Sequence, residues 1–385
     1  MKILFCNYEY PPLGGGGGVV NAALAEELAR RHEVVVLTSR AFDLPADAVE
    51  RGVRVIRVPV MLRRHHATAS IPSMLTYLPT GIRHGNRLLR QERFDVINTH
   101  FVLPTGPVGH SLARRFRIPN VLSVHGGDLY DPSKPISPHK HAVLRAIVRR
   151  LARAADAVVA QSDDTLSNLH RFFAPGLKST VIPLGISRPP ATAGSRDRYG
   201  FADSDVLFIT VGRLVARKAV DQLIESIAAV DDDRVKLIVV GAGPFKEALM
   251  GQVRRAGIAA RVRFVGLVDE ATKLELLSIA DVFASTSQHE GFGLVFLEAM
   301  AFGLPVICYN RGGQIDFLES GRSGYVVDLN DHAAYTARVR ELANSREARE
   351  NMGRDNLQRV QEYFIDRCAD QYERLFEDVI RRSAE

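Results

Sequence analysis

Along the first half of the chain, short apolar runs rich in β-branched residues alternate with stretches whose apolar residues recur at helical spacing. The runs KILFCN, EVVVLTS, VRVIRV, FDVINTH, NVLSV, DAVVAQS and STVIPL predict strands. The intervening pattern predicts helices over residues 19–31, 73–90, 107–117, 140–155 and 163–172. Strand and helix in strict alternation imply a parallel sheet. The pattern then restarts with DVLFITVG, VKLIVVGAG, VRFVG, DVFAST, PVICY and GYVVD, which predicts a second α/β domain. Residues 186–200, ISRPPATAGSRDRYG, are rich in Pro, Gly, Ser and Ala and read as a linker. Beyond about Asp331 only helical patterns remain, and the last helix has no strand after it, so it is free to pack back across the first domain. The expected divisions are residues 1–185, a linker at 186–200, a second domain at 201–362 and a terminal helix at 363–385.

The length of 385 residues agrees with two domains, and 46% hydrophobic with 24% charged residues is the balance of a soluble globular protein. No stretch approaches the roughly 18 apolar residues that span a bilayer, and the first apolar run is too short for a signal peptide, so a cytoplasmic protein is expected. Cys6, Cys308 and Cys368 are odd in number and lack metal-ligand spacing, which predicts small buried residues. Residues 1–185 carry 24 Lys and Arg against 14 Asp and Glu, whereas the remainder carries 26 against 30. The basic residues are not interleaved with aromatics, so nucleic acid is not an expected partner. An anionic membrane surface, an anionic acceptor and a merely solvated basic face remain open. Arg145, Arg149 and Arg153 line one side of the helix predicted at 140–155, and Leu144, Ile147, Val148 and Leu151 supply an apolar face suited to such a surface.

PPLGGGGGVV, residues 11–20, lies between the first strand and the first helix, where backbone N–H groups can face an anion. YEYPPL intervenes between strand and glycines, unlike the tight dinucleotide turn, and the second strand ends in LTSR without an acid for a ribose. A nicotinamide cofactor is therefore not expected, and a mobile glycine loop is the plain alternative. No Walker sequence is present.

In the second half, VGRLVARKAVD places Arg213 and Lys218 after a strand and before a helix, where ligands of open α/β sheets bind. Two cations beside a helix start suit a diphosphate, although an isolated Arg or Lys is more often a solvated charge. GAGP, with Gly243, is a second glycine-containing turn after a strand. HEGFGLVFLEAMAFG follows the strand DVFAST, and a helix is expected to start near Leu294 and to include Phe302. N–H groups around Gly293 and Leu294 can hold phosphate oxygens, Gly291 and Phe292 belong to the same candidate donor-binding turn, Glu298 can reach a ribose hydroxyl pair, and Glu290 can meet a sugar. The plain alternative makes Glu298 a helix-stabilising charge and Glu290 a solvated loop acid.

Together GRLVARK, GAGP, HEGFGLVFLEAMAFGLPVI, the pair Gly312 and Gly313, PPLGGGG and SVHGGD resemble the glycosyltransferase family 4 group of retaining GT-B enzymes. The resemblance runs over nearly the whole chain. It implies two facing Rossmann-like domains with an interdomain cleft, the second holding a UDP- or GDP-sugar donor and the first a hydroxyl acceptor, glycan or lipid-linked. By the same resemblance Arg213 and Lys218 are the diphosphate clamp, Glu290 the sugar-contacting acid, Glu298 the ribose binder and His125 the histidine near the donor sugar. Gly15 and Gly16 lie against the phosphates or the acceptor. No cofactor and no metal are implied, because the nucleotide sugar is a co-substrate and the clamp meets the diphosphate. Lys218 is expected to be a surface cation, dispensable for the fold. The chain departs from the family pattern at Ala219, where glycine is usual after the lysine, at Leu184 for Asn and at Asp316 for Glu. A nucleotide-sugar epimerase and a noncatalytic sugar-nucleotide-binding protein are the alternatives.

Overall fold

The computed structural model describes residues 1–66, 68–132 and 134–385. The chain forms two compact units, one of Met1–Ser187 with Tyr363–Glu385 and one of Arg188–Glu362. In the first, the elements run β1 (Lys2–Asn7), α1 (Gly16–Leu28), β2 (Glu33–Arg40), β3 (Asp47–Glu50), β4 (Val53–Pro59), α2 (Ile71–Gln91), β5 (Val96–His100), α3 (Gly106–Phe116), β6 (Asn120–Val124), α4 (Ala142–Ala154), β7 (Ala157–Ala160), α5 (Asp163–Phe172) and β8 (Thr180–Val181). Their strands form one sheet in the order β3-β4-β2-β1-β5-β6-β7-β8. Every pairing is parallel except β3 with β4. The sequence reading omits β3, a four-residue edge strand that buries no side chain fully and so carries no apolar run. It also overextends β8, because Ile182 and the residues after it leave the sheet as irregular chain.

The second unit runs β9 (Val206–Val211), α6 (Val220–Ala228), β10 (Val235–Val240), α7 (Lys246–Arg255), β11 (Val262–Gly266), α8 (Glu270–Ile279), β12 (Val282–Ala284), α9 (Leu294–Ala301), β13 (Val306–Tyr309), β14 (Gly324–Val327), α10 (His332–Asn344) and α11 (Arg346–Arg359). Its all-parallel sheet has the order β11-β10-β9-β12-β13-β14. Residues 188–200 are tied to this unit: Arg196 donates to the carbonyls of Ile279 and Asp205 and pairs with Asp281, and Gly194 N–H bonds to Ser278.

The final helix α12 (Ile365–Ala384) belongs to the first unit. Its buried Cys368, Ala369, Tyr372, Phe376 and Val379 share a core with Ile3, Phe5 and Val34. Glu373 pairs with His32 at 2.8 Å, and Asp370 with Arg31 at 2.9 Å. No helix among the described residues is long and apolar enough to cross a membrane.

Candidate functional site

Because β9, β12 and β13 are neighbours in the second sheet, the loops leaving their carboxyl ends lie side by side. The β9 loop makes a turn of 3-10 helix at Ala216–Lys218, and the β12 loop is fastened to it by Gln288 N–H on Arg217 O at 2.8 Å and by Thr286 Oγ1 on Ala219 O at 2.7 Å. The β13 loop closes from the other side. Gly313 N–H bonds to Glu290 O at 2.9 Å, and Gly312, at φ +113°, comes so close that an added Cβ would lie 2.0 Å from the Glu290 carbonyl oxygen. Only glycine allows that approach.

Held in this way, Glu290 is 7% exposed and its carboxylate forms an ion pair with Lys218, with Arg217 Nη1 at 3.5 Å. Burial pushes this carboxyl up, but the charges of Lys218 and Arg217 outweigh it and bring it down to about 2. Glu290 is thus an ionised acid inside a wall of protein. Lys218 is correspondingly not the surface cation expected from sequence: only 17% of its side chain is open, and its removal would strand a buried charge.

Three residues after Glu290, Gly293, at φ +95°, caps α9 without any side-chain bond, and no acidic residue occupies the first turn of that helix. The first-turn N–H groups therefore carry the positive end of the helix with no built-in carboxylate. The helix starts at Leu294 as the pattern implied but ends at Ala301, so Phe302 is its C-cap. Phe292 is buried against Phe317 with ring centroids 5.3 Å apart, and half-buried Gly291 joins it to Glu290. Gly243 sits in the turn after β10, which is zipped to the β9 loop by Leu214 N–H on Ala242 O and Phe245 N–H on Leu214 O.

Glu298 points to α8, where Lys273 Nζ lies 2.8 Å from its carboxylate and 2.9 Å from that of Glu270. Burial pushes Glu298 up against the pull of Lys273. Burial also works against the Lys273 charge, but the two carboxylates overcome it and raise the ammonium, so the lysine stays charged beside the acid. The structure thus joins Lys218 with Glu290 and assigns Glu298 a different cation. Arg213 is exposed and forms no side-chain hydrogen bond or ion pair among the described residues. Arg217 and Lys273 are additions that the sequence reading missed. Arg217 adjoins Lys218 and was legible as a third cation, whereas Lys273 is joined to Glu298 only by the packing of α8 and α9.

In the first unit, His125 directly follows β6, 5% exposed, with its ring 4.3 Å from that of Phe101 and its Nε2 3.1 Å from His100 Nδ1. Burial lowers its imidazole to about 4, so the ring is neutral at ordinary pH. Both carboxylate oxygens of Asp128 accept backbone N–H groups, from His125 at 2.8 Å and from Val102 at 2.6 Å. Burial nevertheless pushes that carboxyl up to about 7. Gly15 and Gly16 are exposed at the start of α1, which has no side-chain cap and no first-turn acid, and Gly15 N–H meets Glu9 at 3.2 Å.

Helix α4 does not offer the apolar face expected for a membrane. Val148 and Leu151 are buried in the unit's own core with Val102, Leu122 and Phe173, leaving Val143 and Ile147 open at 71% and 37%. Arg149 and Arg145 are drawn back onto the carbonyls of Phe173 and His139.

Comparison with known proteins covers both units. The family model described as glycosyl transferases group 1 matches residues 193–359, and the one described as glycosyl transferase 4-like domain matches residues 15–185. The chain is 28% identical to N-acetyl-alpha-D-glucosaminyl L-malate synthase of Bacillus anthracis, over 97% of this chain and 96% of that protein. It is 30% identical to the GDP-mannose-dependent alpha-(1-6)-phosphatidylinositol monomannoside mannosyltransferase of Mycolicibacterium smegmatis, over 88% of each. Among solved structures, sucrose-phosphate synthase from Thermosynechococcus elongatus superposes with a TM-score of 0.85 at 21% identity, covering 99% of this chain and 100% of that one.

Proposed function

The chain belongs to the family 4 glycosyltransferases of GT-B fold, and from that premise we propose that it moves a sugar, with retention of configuration, from a nucleoside-diphosphate sugar to an acceptor hydroxyl. The observation that carries this reading is the buried, ionised Glu290 held between Lys218 and Arg217 beside the uncapped start of α9. A buried ion pair is seldom the most stable filling for such a position, since apolar side chains of similar volume often serve stability better. Its chemistry is suited instead to a ligand carrying both an anion and hydroxyl groups. A diphosphate competes with Glu290 for the two cations and takes the N–H groups at the start of α9, with Arg213 near enough in sequence to add a third charge. The displaced carboxylate then accepts from sugar hydroxyls. Glu298, paired with Lys273, accepts from the two ribose hydroxyls.

Negative charge on the diphosphate grows as the glycosidic bond breaks, so these cations contribute more in the transition state than in the ground state. The departing phosphate oxygen takes the acceptor proton, on the same face of the sugar. The fixed cations meet the leaving charge, so turnover needs no added divalent metal. Donors of UDP or GDP type fit this chemistry, and the Mycolicibacterium relative's name specifies GDP-mannose and a lipid acceptor. A glycan or lipid-linked acceptor accords with the basic character of residues 1–185, as does contact with an anionic membrane surface through the exposed Arg150 and Arg153 of α4.

The test is initial rate with a panel of UDP- and GDP-sugars for wild type and Lys218→Gln, which removes the charge while keeping a donor for Glu290. The expected loss in kcat is about 10² to 10³, with circular dichroism checking the fold. A folded Lys218→Gln protein with wild-type turnover would remove the clamp from this reading.

A further inference from the structure

His125 terminates a hydrogen-bond chain that starts on α12. The Tyr372 hydroxyl meets Ser123 Oγ at 2.9 Å, Ser123 Oγ meets Asn98 Oδ1 at 3.1 Å, Asn98 Nδ2 meets His100 Nε2 at 2.8 Å, and His100 Nδ1 meets His125 Nε2 at 3.1 Å. All five side chains are buried and belong to the first unit.

The hydroxyl at its head gives this chain a direction. A phenol has one hydrogen to donate, and among the described residues Ser123 Oγ is where Tyr372 can place it. Ser123 then gives its own hydrogen to Asn98 Oδ1, which turns the amide NH2 toward His100. His100 Nε2 accepts, so the single ring hydrogen of neutral His100 is on Nδ1 and goes to His125 Nε2. The hydrogen of His125 is left on Nδ1. Reversing the chain would bury a hydroxyl hydrogen without an acceptor, which costs as much as losing a hydrogen bond. Neutral rings are what the chain requires, and burial lowers both histidines, His125 to about 4.

At the other end, His125 Nδ1 is buried with no partner. Parallel pairing of Val124 with Ala160 sets the next two residues, His125 and Gln161, side by side, and Gln161 acts on the His125 ring. Gln161 Oε1 is likewise buried without a partner. Unpaired buried polar atoms are uncommon, and here a donor and an acceptor are adjacent. One hydroxyl group, which both accepts and donates, satisfies the two together.

We infer that Asn98 and His100 are positioning residues which, oriented by the hydroxyls of Tyr372 and Ser123, hold His125 in its Nδ1–H form so that His125 and Gln161 bind one hydroxyl group of the sugar substrate. The identity of that hydroxyl rests on the transfer reaction proposed above, whereas the tautomer does not. Gln161 then becomes a specificity residue for the presence of the hydroxyl.

Nitrogen-15 NMR of the full chain labelled at histidine reads the tautomer directly, with His125 assigned by loss of its signals in His125→Asn. The expected spectrum has a pyrrole-like Nδ1 and a pyridine-like Nε2 at His125. In His100→Phe, which keeps a ring against Phe5, the constraint is gone and the Nε2–H form that free imidazole favours should appear. Ser123→Ala, which frees the Asn98 amide to turn over, should give a mixture and serves if His100→Phe does not fold. An Nε2–H ring in wild type, or an undiminished Nδ1–H ring in a folded variant, overturns the relay. For the hydroxyl, Gln161→Leu should raise the KM of the turned-over donor, with GDP-mannose and UDP-glucose as probes, about 10-fold while leaving GDP and UDP affinity unchanged. An unchanged KM overturns the hydroxyl pair. The spectrum reports whether or not any sugar is transferred, so failure of the relay and failure of the transfer reaction are told apart.

Discussion

Ala219 occupies a left-handed conformation, φ +44° and ψ +42°, at the N-cap of α6, where a side chain costs roughly 1 to 2 kcal/mol. The turn carries Lys218 to Glu290 on one side and offers the Ala219 carbonyl to Thr286 on the other. Ala219→Gly should therefore stabilise the second unit by about 1 kcal/mol, the relief of strain exceeding the added freedom of the unfolded chain. A thermal scan should show its transition about 2 to 4 °C higher, and a lowered transition would contradict the assigned turn. Glu290 makes a second residue-level prediction. Its carboxyl titrates near 2 in the fold and near ~4.3 when unfolded, so between those values the unfolded chain binds the extra proton. The contribution is complete above about pH 4.3 and is lost as pH falls through about 2. Urea midpoints of the second unit should drop more steeply from pH 6 to pH 3 in wild type than in Glu290→Gln, and equal slopes would contradict the ion pair. The two glutamates were legible in sequence because they flank a glycine turn and a helix start. Their cations were legible only in part: spacing within one segment identified Lys218, but nothing local to the segment with Lys273 shows that it faces Glu298.

At the scale of elements, the alternation of apolar runs was sufficient to predict both parallel sheets, since central strands and their covering helices need those patterns. Elements whose stability comes from neighbours were harder to read. β3 is an edge strand without an apolar run, and the apolar face of α4 left a membrane surface open because the pattern alone does not distinguish lipid from the unit's own core. α12, by contrast, was expected to pack back across the first domain because no strand follows it, and the structure supplies the particular residues it meets, Ile3, Phe5 and Val34. Phe376 is fully buried there. Phe376→Ala should cost about 3 to 5 kcal/mol, and a denaturant titration followed by a probe in the first unit should show it. A loss confined to the second unit would contradict the assignment of α12 to the first.

For the whole molecule, the excess of positive charge lies in residues 1–185, whereas the two paired acids of the candidate donor site lie in the second unit. The chemistry proposed for the second unit hinges on one competition, between Glu290 and a diphosphate for Lys218 and Arg217. A merely structural Glu290 would be missed in every binding measurement, whereas a competing Glu290 would restrain the binding of a nucleoside diphosphate that has no sugar to offer in return. Isothermal titration of UDP and GDP into wild type and Glu290→Gln separates the two most directly. The nucleoside diphosphate preferred by wild type should bind Glu290→Gln as tightly or severalfold more tightly, while turnover of its sugar falls. Weakening of that nucleoside diphosphate by tenfold or more in a folded Glu290→Gln protein, or no binding of either to wild type at millimolar concentration, would contradict the competition.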